Sequence, residues 1–256
     1  MAIIFRYDKS FEGLLTAVFD AYNRRVFPDV LLGEKDIPPL FCDEEYAVIT
    51  DDEKANRVMR GLERKLSASA LSAITTCWLS ELPEVDILLF RYIRKAIDSP
   101  IRMELNFADE DVLDLAKLWK KVDRERLRII QFVRFQKAAD DTYFAPIDPL
   151  YNVLPLSIQH FRDRYADQKW LVYDVSREYG YYYDLKETLE VRFEHKDKHL
   201  LTGFLDESIM DKDELLFQKM WKAYFKHISI SERTNHKQQR SFMPVRFWKY
   251  LTEKQE

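Results

Sequence analysis

Between Ile228 and Leu251 the chain reads ISISERTNHKQQRSFMPVRFWKYL, a run that interleaves three side-chain chemistries. Arg233, Lys237, Arg240 and Arg246 are cations, Asn235, Gln238 and Gln239 are amides, and Phe242, Phe247, Trp248 and Tyr250 are aromatic. A guanidinium binds phosphate through two parallel hydrogen bonds, and an amide can read a base edge. Aromatic rings stack on unpaired bases. A surface that tracks a nucleic-acid strand needs this mixture, with Arg233, Asn235, Lys237, Gln239, Arg240, Arg246 and Trp248 as candidate contacts. The competing reading is structural: a solvated basic loop that caps a helix and buries Phe247 and Trp248.

A second group lies on the segment NVLPLSIQHFRDRYA, where His160 and Arg164 are four residues apart and Arg162 lies between them. Histidine beside arginine could hold a phosphate or move a proton, which makes His160 a candidate catalytic residue and Arg162 and Arg164 candidate phosphate contacts. An exposed helix face with long, partly covered stems explains the same residues without chemistry. His195 and His199 have the spacing of a helical metal pair, but EHKDKH reads as a solvated turn and offers no third ligand, so no metal is expected. Ser67, Ser69 and Ser72 lack a nearby histidine or a nucleophile elbow.

Composition narrows the chemistry further. The 256 residues contain only 5 glycines, all isolated, so neither a dinucleotide fingerprint nor a phosphate-cradling loop can be assembled. Two cysteines, Cys42 and Cys77, cannot ligate a cubane cluster or a four-cysteine zinc and read as reduced thiols. No cofactor is expected. MAIIFRYDKS suits a first strand and not a signal peptide, and no apolar run is long enough to span a membrane, so a cytoplasmic protein is expected. The net charge of −4 conceals an asymmetry: from Lys219 to Tyr250 eight Lys or Arg face the single acid Glu232. An acidic body with one basic end makes a statement about partners.

The elements that would position these groups follow from periodicity. Ile3–Tyr7 reads as a strand, and Ser10 precedes a helix in which Leu14, Leu15, Val18, Phe19 and Tyr22 recur at helical spacing. Residues 52 to 98 read as helical, with a break at Pro83, and helical character continues from Phe107 to Leu127. The β-branched and aromatic run RIIQFVRFQKA predicts a strand near residue 128, followed by another in TYFAPI. KWLVYDV and YGYYYD predict a hairpin, and TLEVRFEH alternates as a further strand. Helix returns from Asp213 to Ile228, with a short final helix after Pro244. The expected class is α+β: a helical N-terminal part, a small antiparallel sheet in the C-terminal half, and C-terminal helices. One domain over residues 1–256 is expected, divisible into a mainly helical part, 1–127, and a sheet-containing part, 128–256.

Three segments carry a resemblance: IFRYDKSFEGLLTAVFDAY at the start, the central APIDPLYNVLPLSIQHFRDRYADQKWLVYDVSREYGYYYD, and the closing MWKAYFKHISISERTNHKQQRSFMPVRFWKYL. Together they resemble a bacterial family of DNA metabolism proteins built on a domain of unknown function. The resemblance implies a role beside a radical-SAM protein of DNA repair or modification, and an association with uracil-DNA glycosylase-like domains. It brings no established active site. The matching positions are His160, Phe161, Arg162, Arg164, Trp170, Asp174 and Arg177, and in the tail Arg233, Asn235, Gln239, Pro244 and Trp248. The chain lacks the clustered cysteines of a radical-SAM enzyme, and no glycine-rich water-activating loop supports glycosylase activity of its own.

Three functions follow as expectations. The first is a DNA-binding accessory of a repair or modification enzyme, with the basic segment on the phosphate backbone. The second is a cofactor-independent enzyme acting on DNA or nucleotides around His160. The third is a protein-interaction module that does not bind DNA.

Overall fold

The computed structural model describes residues 2–40, 44–194, 200, 204–228, 233 and 235–255. Cys42, His195 and His199 lie outside the described residues. The protein is α+β and divides into two compact units, Met1–Asp123 and Arg124–Glu256.

The first unit opens with β1 (Ile3–Tyr7), α1 (Phe11–Arg24), β2 (Val30–Gly33) and β3 (Glu44–Ala47). The strands form a parallel sheet in the order β2-β1-β3. The Ser10 hydroxyl accepts the Gly13 N–H at 2.9 Å and so satisfies one of the donors left open at the start of α1. A Cβ at residue 13 would sit 2.3 Å from Asp8 Oδ1, so any larger residue there must displace the Asp8 side chain from its hydrogen bonds to Ser10 and Thr50. The helices α2 (Asp52–Lys65), α3 (Ala68–Trp78) and α4 (Val85–Asp98) follow, and α5 (Glu110–Phe132) leads into the second unit. Asp51 and Ser67 cap α2 and α3 through Lys54 N–H and Ala70 N–H. Ala55, Val58 and Leu62 of α2 are buried with Leu14, Leu15 and Val18 of α1, each large side chain worth about 1.5–3 kcal/mol of apolar burial. Cys77 is buried, its Sγ 3.5 Å from the Leu115 carbonyl, and burial pushes its thiol up to about 12, so it is inert packing.

Neither β2 nor β3 was expected. β2 is only four residues long, and β3, sequence EEYA, is an exposed, charged edge strand without the apolar alternation that marks a half-buried one.

The second unit holds β4 (Gln136–Lys137), β5 (Tyr143–Ile147), α6 (Leu154–Arg164), β6 (Trp170–Asp174), β7 (Tyr179–Tyr183) and β8 (Thr188–Val191). After these come α7 (Glu214–Ile228), α8 (His236–Phe242) and two 3-10 turns, Val245–Tyr250 and Thr252–Lys254. The sheet order is β4-β5-β6-β7-β8. Three of its pairs are antiparallel, as expected, but β5 and β6 are parallel because α6 carries the chain back between them. Phe161 of α6 lies edge-on to Trp170 of β6, and Trp170 stacks on Tyr183 of β7, so three buried rings fix helix to sheet.

The strand expected near residue 128 is instead the last turn of α5, and only Gln136–Lys137 pairs in the sheet. Leu118, Val122, Ile129 and Val133 continue one buried helical stripe, and that periodicity outweighs the local β-propensity of Ile129, Ile130 and Phe132.

Candidate nucleic-acid interface

The basic segment is built on α7, α8 and the 3-10 turn that follows. α7 buries only Glu214, whose carboxylate accepts Lys137 N–H at 3.1 Å and Gln218 Nε2 at 2.9 Å. Its middle is tied down by Glu253. That carboxylate accepts Trp221 Nε1 at 2.9 Å and Arg134 Nη2 at 2.6 Å, and the Arg134 guanidinium also lies over the Trp221 ring. Burial pushes the Glu253 carboxyl up, but the hydrogen bonds from Arg134 and Trp221 outweigh it and hold the group below the usual carboxylate range. Much of the apolar surface of α7 stays open: Leu216, Phe217, Met220 and Tyr224 are each more than half exposed.

Asn235 is the N-cap of α8, its side-chain oxygen accepting the Gln238 N–H at 3.0 Å, and the Gln239 carbonyl accepts the Met243 N–H at 2.8 Å. Asn235 therefore spends its oxygen on the helix. Trp248 is half-buried, donates Nε1 to the Met243 carbonyl at 3.1 Å, and carries Lys254 Nζ over its ring at 5.0 Å. This clamp orients the indole and occupies one of its faces.

The cations sort into two groups. Arg246 is paired with Glu125, a fully buried carboxylate that also accepts Leu150 N–H at 3.0 Å, and its guanidinium rests over Phe247. Lys249 pairs with Asp148 at 2.6 Å, and Asp148 also accepts the Ser176 hydroxyl at 2.5 Å. Burial pushes Asp148 up, yet Lys249 and Ser176 lower it further than burial raises it. Lys219, Lys222, Lys226, Arg233, Lys237 and Arg240 have no carboxylate within ion-pair distance among the described residues. All of these but the half-buried Lys222 are exposed. Arg246, one of the expected phosphate contacts, thus already has its charge answered inside the fold.

The buried Glu125 and the half-buried Asp148, which answer Arg246 and Lys249, were not singled out by the sequence, whereas the buried Asp174 is among the positions that carry the resemblance. Asp174 is fully buried at the end of β6 and accepts Arg177 N–H and Nη1, both at 3.0 Å; burial raises it more than Arg177 lowers it. One signal was available for Glu125: it falls between Val122 and Ile129 on the buried stripe of α5, where a charge must find a partner.

The helix α6 presents its candidates outward. His160 is exposed with its ring edge on Phe161, Arg162 Nη2 donates to the Lys186 carbonyl at 3.3 Å, and Arg164 lies over Tyr165. Among the described residues no group of three or more His, Cys, Asp or Glu could hold a metal ion. No described helix is long and apolar enough to cross a membrane.

No curated protein and no solved structure matches the chain. A family model does match, over residues 83–253, from the turn before α4 to the Glu253 that latches α7. It leaves out the opening β1–α1 segment and includes α6, the five-stranded sheet and the whole basic end. With two thirds of its length matched, the chain belongs to the DUF4130 family, a domain of unknown function.

Proposed function

We propose that the protein is a DNA-binding accessory in bacterial DNA metabolism, working in the cytoplasm beside a radical-SAM repair or modification enzyme. One observation carries the DNA-binding part. Among the described residues the basic end leaves six cations without a carboxylate, at Lys219, Lys222, Lys226, Arg233, Lys237 and Arg240, while the fold pairs Arg246 and Lys249 internally. Cations that serve folding are paired; cations left open along two consecutive helices suit a polyanion. The enzyme partner rests on the sequence resemblance alone.

Fluorescence anisotropy on labelled oligonucleotides tests this reading. Affinity falls steeply with salt, because counterions released from the backbone drive such binding. Joint replacement of Arg233, Lys237 and Arg240 by Gln flattens the salt slope. Binding that is absent at low salt, or indifferent to this triple change, rejects the reading. Arg246 is left intact in the variant, since its loss strands Glu125.

A second reading, a protein-interaction module, draws on the open apolar surface of α7 at Leu216, Phe217, Met220 and Tyr224. Co-purification with the neighbouring enzyme that survives nuclease treatment, and that free DNA does not compete away, favours it over the first.

A further inference from the structure

A different cationic surface lies in the first unit. Arg57, Arg60 and Arg64 follow one another on the solvent side of α2 at spacings of three and four, which places them along one helix face. With Glu53, Asn56 and Gly61 they line an open groove of about 700 Å³. A second recess of about 460 Å³ shares Arg57 and Gly61 and continues over Phe19, Asn23 and Val58. All three arginines are exposed, and none has a carboxylate within ion-pair distance among the described residues, Glu53 included.

Other cations of this unit are held by carboxylates, whereas Arg24, Arg25, Lys35, Arg102, Lys120 and Lys121 share the open state of these arginines among the described residues without lining their groove. Arg6 is paired with Glu45, Lys9 with Asp86, Lys54 with Asp20, Arg91 with Asp111, and Lys95 with Asp109. Lys65, which borders the second recess, is also engaged, donating to the carbonyls of Ile97 and Ser99. The arginines stand on a fixed floor, because Ala55, Val58 and Leu62 on the opposite face of α2 are buried. Arg57 rests its guanidinium over Phe19 at 5.5 Å, which covers that ring and removes it as a stacking platform for a base. At Gly61 an added Cβ would meet nothing within 4 Å, so a bulky anion can approach the helix between Arg60 and Arg64.

We propose that this α2 groove is a nucleic-acid site, separate from the basic C-terminal end, that grips the phosphodiester backbone and reads no bases. Guanidinium forks suit phosphate oxygens, and nothing in the groove presents a free ring or a base-reading pocket. Arg57 to Arg64 spans about 10 Å along the helix axis. That reach covers about three successive phosphates of one strand at an axial spacing of about 3.4 Å. The site shares its ligand class with the reading above but none of its residues, so the two stand or fall separately.

The test is anisotropy on labelled 20-mers, single- and double-stranded and of unrelated sequences, over a salt series. The full-length protein is compared with R57Q/R60Q/R64Q and with R233Q/K237Q/R240Q, and circular dichroism checks that each variant is folded. The α2 variant is expected to bind at least tenfold more weakly at low salt. Its salt slope for duplex is expected to be shallower by about 2.7, at about 0.9 per phosphate lost. The loss should be equal across sequences. An α2 variant with wild-type affinity and slope overturns the site, whatever the C-terminal variant does. Loss in the α2 variant alone supports the site and rejects the C-terminal reading. Inorganic phosphate or a mononucleotide binding as tightly as the 20-mer would also overturn it, since the site would then take a single phosphate and not a backbone.

Discussion

The α2 groove and the C-terminal basic end are both cationic, but they hold their charges differently. In α2 the arginines project from a 14-residue helix whose other face is buried, and none of them is paired with a carboxylate among the described residues, though Arg57 lies over Phe19 of α1. At the C-terminal end cations are divided between work inside the fold and open display. Arg246 and Lys249 neutralise the buried Glu125 and the half-buried Asp148, while Lys237 and Arg240 sit on a seven-residue helix with no buried residue. Charge count alone therefore overstates the binding capacity of the C-terminal end and passes over that of α2. What decides availability is whether a carboxylate faces the cation.

The sharpest break in the comparison is expected at Arg246. Replacing it by Gln leaves Glu125 as a buried carboxylate held by the Leu150 N–H and, among the described residues, with Arg128, 3.6 Å away, as its remaining cation. Losing one partner of such a pair costs about 3 kcal/mol or more. The same change at Arg240 or Arg64, both exposed and without a carboxylate partner among the described residues, shifts stability by less than about 0.5 kcal/mol. Urea denaturation of the three variants checks this. Equal midpoints for Arg246→Gln and Arg240→Gln would show that the Glu125 pair does not anchor the C-terminal end.

A smaller effect is expected at the latch of α7. Glu253→Gln removes the charge that Arg134 and Trp221 bind, at a cost of about 1–2 kcal/mol near neutral pH. Because the folded carboxyl is held below its unfolded value of about 4.3, its contribution is complete above that pH. It is lost as pH falls through the lower folded value. The stability gap between wild type and Glu253→Gln should therefore close in acid, and Trp221 fluorescence should report the loosening. A gap that persists at low pH would mean that shape and not charge holds the latch.

How much of this was legible in the sequence varies with the range of the interaction that decides it. The Ser10 cap and the Leu14, Leu15 and Val18 stripe were readable because caps and helix faces are local. The β6–β7 hairpin was readable for the same reason. The end of α5 was misread because Ile129, Ile130 and Phe132 favour strands locally, while the stripe that keeps them helical begins ten residues earlier. The site depended on partners far along the chain. Arg246 and Glu125 are 121 residues apart, so nothing near Arg246 marked it as engaged. Arg57, Arg60 and Arg64 looked like any solvated helix face, and what sets them apart is that three guanidiniums with no carboxylate in reach among the described residues line one groove.

The least disruptive probe of the comparison is Gly61. It lies inside α2 with a helical backbone and open space where a Cβ would go. Glycine in a helix interior costs about 0.5–1 kcal/mol relative to alanine, so Gly61→Ala should stabilise the protein by about that amount. Gly61→Glu should also stabilise, since glutamate is a good helix former and its Cβ meets nothing within 4 Å. The two variants part company on ligand: alanine leaves the charge of the groove unchanged, whereas glutamate sets a carboxylate between Arg60 and Arg64. Oligonucleotide affinity should hold in the first and fall in the second, while thermal stability rises in both. If Gly61→Glu binds like wild type, the glycine is a tolerated defect in a solvated helix and the arginines beside it are ordinary surface charge. If it binds more weakly, the residue that weakens α2 is the one that keeps its groove open to phosphate.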